Sequence, residues 1–142
     1  MITTDGTRYR MLVNYPRKNG EICLLESKAG IDGKTIANHN LNPVMDSGRK
    51  SVVTHMVVRT TAATAVTVAA QCSLGVVIGS YTDIVGTTTL TGLTAIDKVT
   101  VVDSKAAASV VGGGGNIVFR ISTGATATTL TLTVDVFGYY LD

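Results

Sequence analysis

The chain has 142 residues, of which 45% are apolar, 5% aromatic and 15% charged, with no Trp and a formal net charge of +2. This length suits one domain with or without an appendage, and its core must come from Val, Leu, Ile and Ala rather than from aromatic anchors. No apolar run approaches the roughly 20 residues that span a bilayer, which argues against a transmembrane helix.

Charge divides the chain near residue 50. Eight of the twelve basic side chains precede it, namely Arg8, Arg10, Arg17, Lys18, Lys28, Lys34, Arg49 and Lys50, together with five acids. The remainder carries a slight acidic excess. Residues 1–50 therefore read as a basic N-terminal arm and 51–142 as the folded domain. The arm is rich in turn formers: Pro16, Asn19-Gly20, Gly30, Asp32-Gly33, Asn42-Pro43 and Ser47-Gly48. Asn19-Gly20 lies between two short apolar runs, Tyr9 to Val13 and Ile22 to Leu25, which is a hairpin signal because a type I′ turn needs positive φ at both central positions. Residues 31–50 show no sustained period and are expected to form an extended connection.

Beyond residue 50, strand follows strand. Val52 to Val58 is apolar on both phases, as in a central strand covered on both sides. From Val66 to Ile78 the even positions are apolar and most odd ones polar, a period of two that predicts one long strand with one buried face. Val99 to Val102 is a short candidate. Ile117, Phe119 and Ile121 alternate with Val118, Arg120 and Ser122, and Leu130, Leu132, Val134 and Val136 alternate with Thr131, Thr133 and Asp135. Gly79-Ser80, Gly86-Thr87, Thr91-Gly92, Asp103-Ser104, the four glycines from Gly112 and Thr123-Gly124 punctuate these runs. Helix has support only over Lys105 to Val110, where one turn fits. The pattern predicts an all-β fold, an antiparallel β-sandwich of the jelly-roll or immunoglobulin-like kind.

No motif for chemistry stands out. His55 lies in an apolar strand and reads as a structural imidazole, while His39 has no Cys or carboxylate at metal-ligand spacing. No Gly-x-Ser-x-Gly elbow occurs, and Cys72 falls on the inward phase of its strand; Cys23 reads as the more accessible thiol. Asp83, Asp97, Asp103 and Asp135 would have to converge to act as paired carboxylates, and each has a simpler role at a strand end or on a solvent face. Gly112 to Gly115 is followed by a strand and no Lys-Ser/Thr, so it is not a phosphate loop. The expectation is a non-enzyme without cofactor or metal. The opening Met-Ile-Thr-Thr-Asp lacks the charged and apolar regions of a secretory signal, so reduced cysteines and synthesis in a cytoplasm are expected. The arm's basic side chains are interrupted by acids and lack stacking aromatics, which favours contact with protein over nucleic acid.

An irregular basic segment feeding a Thr/Val/Gly-rich β-domain resembles small virion proteins of tailed bacteriophages. Residues 115–142, from Gly115-Asn116-Ile117 to Tyr139-Tyr140-Leu141-Asp142, are similar in style to the closing strands of jelly-roll cement, decoration and fibre proteins. The resemblance implies a jelly roll that forms homotrimers on the outside of a capsid, bridging subunits of the major capsid protein with its arms. Arg8, Arg10, Arg17, Lys18, Arg49 and Lys50 would then be the capsid contacts, and the protein would reside in the virion without touching nucleic acid or membrane. The alternative is a head or tail fibre domain that binds a host receptor or glycan through the loops Ser80 to Thr89 and Gly112 to Asn116, with Tyr81 as the aromatic platform.

Overall fold

A computed structural model describes residues 21–43, 49–105, 111 and 117–141. Nine strands occupy them: β1 (Cys23–Asp32), β2 (Ala37–Asn40), β3 (Asn42–Pro43), β4 (Ser51–Thr64), β5 (Gln71–Gly75), β6 (Val85–Thr89), β7 (Val99–Asp103), β8 (Val118–Thr123) and β9 (Thr129–Tyr140). The described residues are all-β, as expected.

The pairing is a nest of antiparallel couples. β1 pairs with β9, β2 with β8, β4 with β7 and β5 with β6. Rolling that nest on itself brings β9 beside β4 and β8 beside β5. The result is a five-stranded sheet, β3-β1-β9-β4-β7, and a four-stranded sheet, β2-β8-β5-β6. Eight strands nested this way are a jelly roll, with β3 a two-residue addition at one edge.

The expected inward phases hold at β8 and β9. Phe119 and Ile121 are buried from β8, and Leu130, Leu132, Val134 and Val136 from β9. They meet Ile31 of β1, Val53, Met56 and Val58 of β4, and Leu74 of β5 in one core. Phe119 is the largest fully buried side chain, and aliphatic residues fill nearly all the rest. Each such side chain contributes about 1.5–3 kcal/mol of transfer free energy.

Several expectations are corrected. The change in composition at residue 50 is not a boundary of the sandwich, because β1 lies between β3 and β9 and β2 closes the other sheet. β2 carries Ala-Asn-His-Asn, whose place is set by backbone pairing with β8 rather than by an apolar period. The period-two run from Val66 to Ile78 is not one strand. The chain crosses between sheets after Ala65, which has a φ of 52°, and touches the ladder at Val68 only as an isolated bridge to Thr126. At the far end the Asp83 carboxylate accepts hydrogen bonds from the N–H groups of Val76 and Val77, at 2.9 and 3.1 Å, which draws the chain out of the ladder after Gly75. Ile78 is consequently 86% exposed. Gly86-Thr87, expected as a turn, lies inside β6. The Asn19-Gly20 turn, the Tyr9 to Val13 run, the helical turn over 106–110 and the four glycines lie outside the described residues.

β1 bends twice to follow the roll, with register shifts between Leu24 and Glu26 and between Lys28 and Ile31. Gly30 sits in the second with φ 70°, a left-handed conformation in which any side chain would be strained. The turn after β1 is held by Asp32, whose carboxylate accepts from the Lys34 N–H and the Thr35 hydroxyl, both at 2.9 Å. Those bonds favour the charged form and hold the Asp32 carboxyl below its usual range.

Candidate interaction surface

Two layers leave each sheet with an outer face, and the two outer faces differ. On the five-stranded sheet the outward row of β4 was expected to be covered; Val52, His55 and Val57 are instead half-buried, because no third layer lies over them among the described residues. His55 stacks on Phe137 of β9, ring centroids 5.0 Å apart and planes 7° from parallel. Its Nδ1 shares a 2.9 Å hydrogen bond with the Thr54 hydroxyl. The structural role expected for this imidazole matches that geometry. Beside it, β7 presents Val99 and Val101, 52% and 60% exposed, while Thr100 and Val102 turn inward. Asp135 accepts a 2.6 Å hydrogen bond from the Ser27 hydroxyl on the same face.

The four-stranded sheet is polar outside. Thr123 donates to Gln71 Oε1 at 3.1 Å, and Gln71 Nε2 donates to the Thr89 hydroxyl at 3.3 Å, linking β8, β5 and β6 in one lateral row. Arg120 donates to the Gly79 carbonyl at 2.9 Å.

Of the proposed capsid contacts, Arg8, Arg10, Arg17 and Lys18 lie outside the described residues. Arg49 is half-buried with its guanidinium 4.9 Å from the centre of the Tyr140 ring, a cation–π arrangement. Lys50 is exposed, and its carbonyl accepts from the Leu141 N–H at 2.9 Å. The structure thus brings Arg49 and Lys50 to the end of the sandwich where β4 begins and β9 finishes.

Other residues singled out from the sequence occupy structural positions. Cys23 and Cys72 are both buried, and Cys23, 8% exposed against 0% for Cys72, is the more accessible by a small margin. Burial pushes the Cys72 thiol up to about 12. The four aspartates do not converge. Asp83 caps β5, Asp97 sits in the β6–β7 connection with φ 63°, and Asp103 and Asp135 share a face but stand on β7 and β9, with β4 between them. Among the described residues no three His, Cys, Asp or Glu side chains gather as a metal site. Ser80 to Thr89 is not a loop throughout, since β6 takes its second half. Tyr81 is half-buried with φ 50°, its backbone against Gly75, where an added Cβ would collide with it.

Two buried polar atoms lie on β1 and on the edge strand β2. Glu26 Oε1 has no hydrogen-bond partner, and burial raises its carboxyl to about 7 despite a hydrogen bond from the Ile117 N–H. His39, expected in a loop, is in β2; its Nε2 is likewise unpartnered, and burial, with Lys28 second, lowers its pKa.

The exposed valines of β7 are the surface feature that the sequence reading missed. The signal was present, because Val99 and Val101 share the parity opposite to the core-packed Val102, but alternation does not say which strand ends a sheet.

No protein-family model and no curated protein matches the chain. A solved structure described as "Cyanophage Pam1 capsid asymmetric unit" contains a chain that is similar in fold, with a TM-score of 0.53 at 16% identity. The likeness covers 87% of this chain and 87% of that one, so whole chains of similar length correspond.

Proposed function

We propose that this chain is a structural protein of a phage virion, a cement or decoration protein that binds the outside of the capsid and bridges its subunits. The observation that carries this reading is the likeness, over nearly the whole of both chains, to a chain of a phage capsid structure. Two surface features favour it. A half-buried apolar face on a low-charge sandwich suits packing against other protein, and Arg49 and Lys50 add basic side chains at one end. Arg8, Arg10, Arg17 and Lys18 add four more basic side chains in the sequence. Association would then depend on salt, since exposed charges are screened within about 8 Å at physiological ionic strength.

Removing residues 1–50 would delete β1, β2 and β3 and so test folding rather than binding. Charge reversal in the full chain is the cleaner experiment. The purified protein is added to capsids of the phage that encodes it, and co-sedimentation is measured across salt concentrations. Saturable binding that weakens with salt, and weakens further when Arg8, Arg10, Arg17, Lys18, Arg49 and Lys50 are changed to Glu, is expected. Failure to co-sediment at any salt concentration overturns the proposal. Binding to an immobilised glycan that is lost on Tyr81→Ala would move the protein to the fibre class instead.

A further inference from the structure

Of the four sheet edges, that of β7 is the least guarded. β3 ends its edge with Pro43, which has no N–H, β2 offers four residues of which three are Asn or His, and β6 carries Gly86 opposite a register shift. β7 has no Pro, no Gly and no register shift, and it exposes two valines. Natural sheets ordinarily blunt such an edge.

The ladder shows which groups face outward. At the two ends of β7, the Lys98 carbonyl accepts from Thr60 N–H and the Ser104 N–H donates to the Thr54 carbonyl, at 2.9 Å each. Antiparallel alternation therefore assigns the even positions to β4 and leaves the N–H and C=O groups of Val99, Val101 and Asp103 aimed at an edge that no other strand among the described residues covers.

We infer that β7 pairs antiparallel with β7 of a second copy of this chain, about a two-fold axis at Val101, joining two five-stranded sheets. Directly opposed residues in an antiparallel pair must point to the same face, so the position numbers of partners must share parity. In the register centred on Val101, Val101 faces its own copy and Val99 faces Asp103 of the other chain. Each facing pair contributes two backbone hydrogen bonds.

Charge selects this register. With the axis at Thr100, Val99 would instead face Val101 of the other chain and Arg59 would meet no acid. Arg59 lies directly across β4–β7 from Val99, and all three of Arg59, Val99 and Asp103 are exposed. Pairing places Asp103 of the second chain on the far side of Val99, two strand spacings or about 10 Å from Arg59, within reach of an arginine lying over the valine. The two-fold axis repeats the contact, and the four valines merge into one apolar stripe. This contact goes beyond the capsid reading and differs from a threefold ring, since an edge paired with its own copy closes after two chains. It is tested without capsids.

The test is register-specific cross-linking of the full chain in solution under oxidised glutathione. Facing residues in such a pair lie about 5.5 Å apart between Cα atoms, within disulfide range. Val101→Cys should form a covalent dimer in high yield, and Val99→Cys, offset from its own copy by four residues, should not. The native Cys23 and Cys72 are buried and give little background. In the Val101→Cys protein at limiting concentration, Arg59→Asp should lower the yield about tenfold, and adding Asp103→Arg should restore it. Equal yields at positions 99 and 101, no dimer at either, or a yield unmoved by Arg59→Asp overturns the pairing.

Discussion

The outer faces of the two sheets solve the same problem in opposite ways. Both sheets bury one face in the shared core, and both carry β-branched residues on the other. The four-stranded sheet dresses its outside with Thr, Gln and Arg side chains that bond across strands and to backbone. The five-stranded sheet leaves Val52, Val57, Val99, Val101, Phe137 and His55 half-buried or exposed. Desolvating the polar face would require its hydrogen bonds to find new partners, whereas desolvating the apolar face is favourable at about 25 cal/mol per Å². The comparison makes the five-stranded sheet the better suited of the two to being covered by protein.

The strongest way to break the five-stranded sheet is at its centre. Gly138 pairs with Cys23 on one side and Val53 on the other, and an added Cβ would collide with the Val52 carbonyl and press on Leu25. Backbone on a central strand cannot step aside, so Gly138→Ala should cost about 3 kcal/mol or more by chemical denaturation. A cost near zero would mean that β9 is not held between β1 and β4 as described.

A smaller effect separates the sheets by pH. Glu26 titrates near 7 in the fold, against 4.5 when free, so between those values the folded protein holds a proton that the unfolded chain has released. Stability should therefore fall as pH rises through that window and level off above about 7. Glu26→Gln keeps an acceptor for the Ile117 N–H without the charge. It should flatten the slope and add about 1–3 kcal/mol at pH 8, discounted for solvent screening. An unchanged slope would assign the pH dependence to another group.

The elements that were legible in the sequence were those with a strict period. Most of β8 and β9, over 119–122 and 130–136, could be read residue by residue because the inward side chains there are large and the outward ones are Thr, Arg, Ser or Asp. β2 was illegible, since Asn38, His39 and Asn40 owe their place to the backbone of β8. The run from Val66 to Ile78 misled because the crossing between sheets also presents apolar side chains toward the core; Val66 and Val76 pack against it from outside β5. The candidate surface was legible least of all. Four of its six basic residues lie before β1 in the sequence, and the exposure of Val99 and Val101 follows from β7 being the last strand of its sheet among the described residues, which only the topology reveals.

Truncating one residue on each outer face sharpens the comparison directly. Phe137 stacks on His55 and faces Leu24 on the apolar side. Phe137→Ala should cost about 1–2 kcal/mol, less than for a fully buried phenylalanine because the ring is already half in water. If that face binds protein, the same change should also weaken capsid co-sedimentation.

Gln71→Ala is the counterpart on the polar side, and the smallest effect expected. The side chain links Thr123 and Thr89, so its loss breaks two hydrogen bonds at once. Both threonines border solvent, and water replaces an exposed partner at little cost, so the net loss should be about 0.5 kcal/mol. Capsid binding and the Val101→Cys cross-link should be unmoved, because Gln71 lies on the opposite sheet. A Gln71→Ala cost that matched Phe137→Ala would make the polar row a structural clasp rather than a solvated surface. Loss of capsid binding with stability intact would reverse the assignment of the two faces.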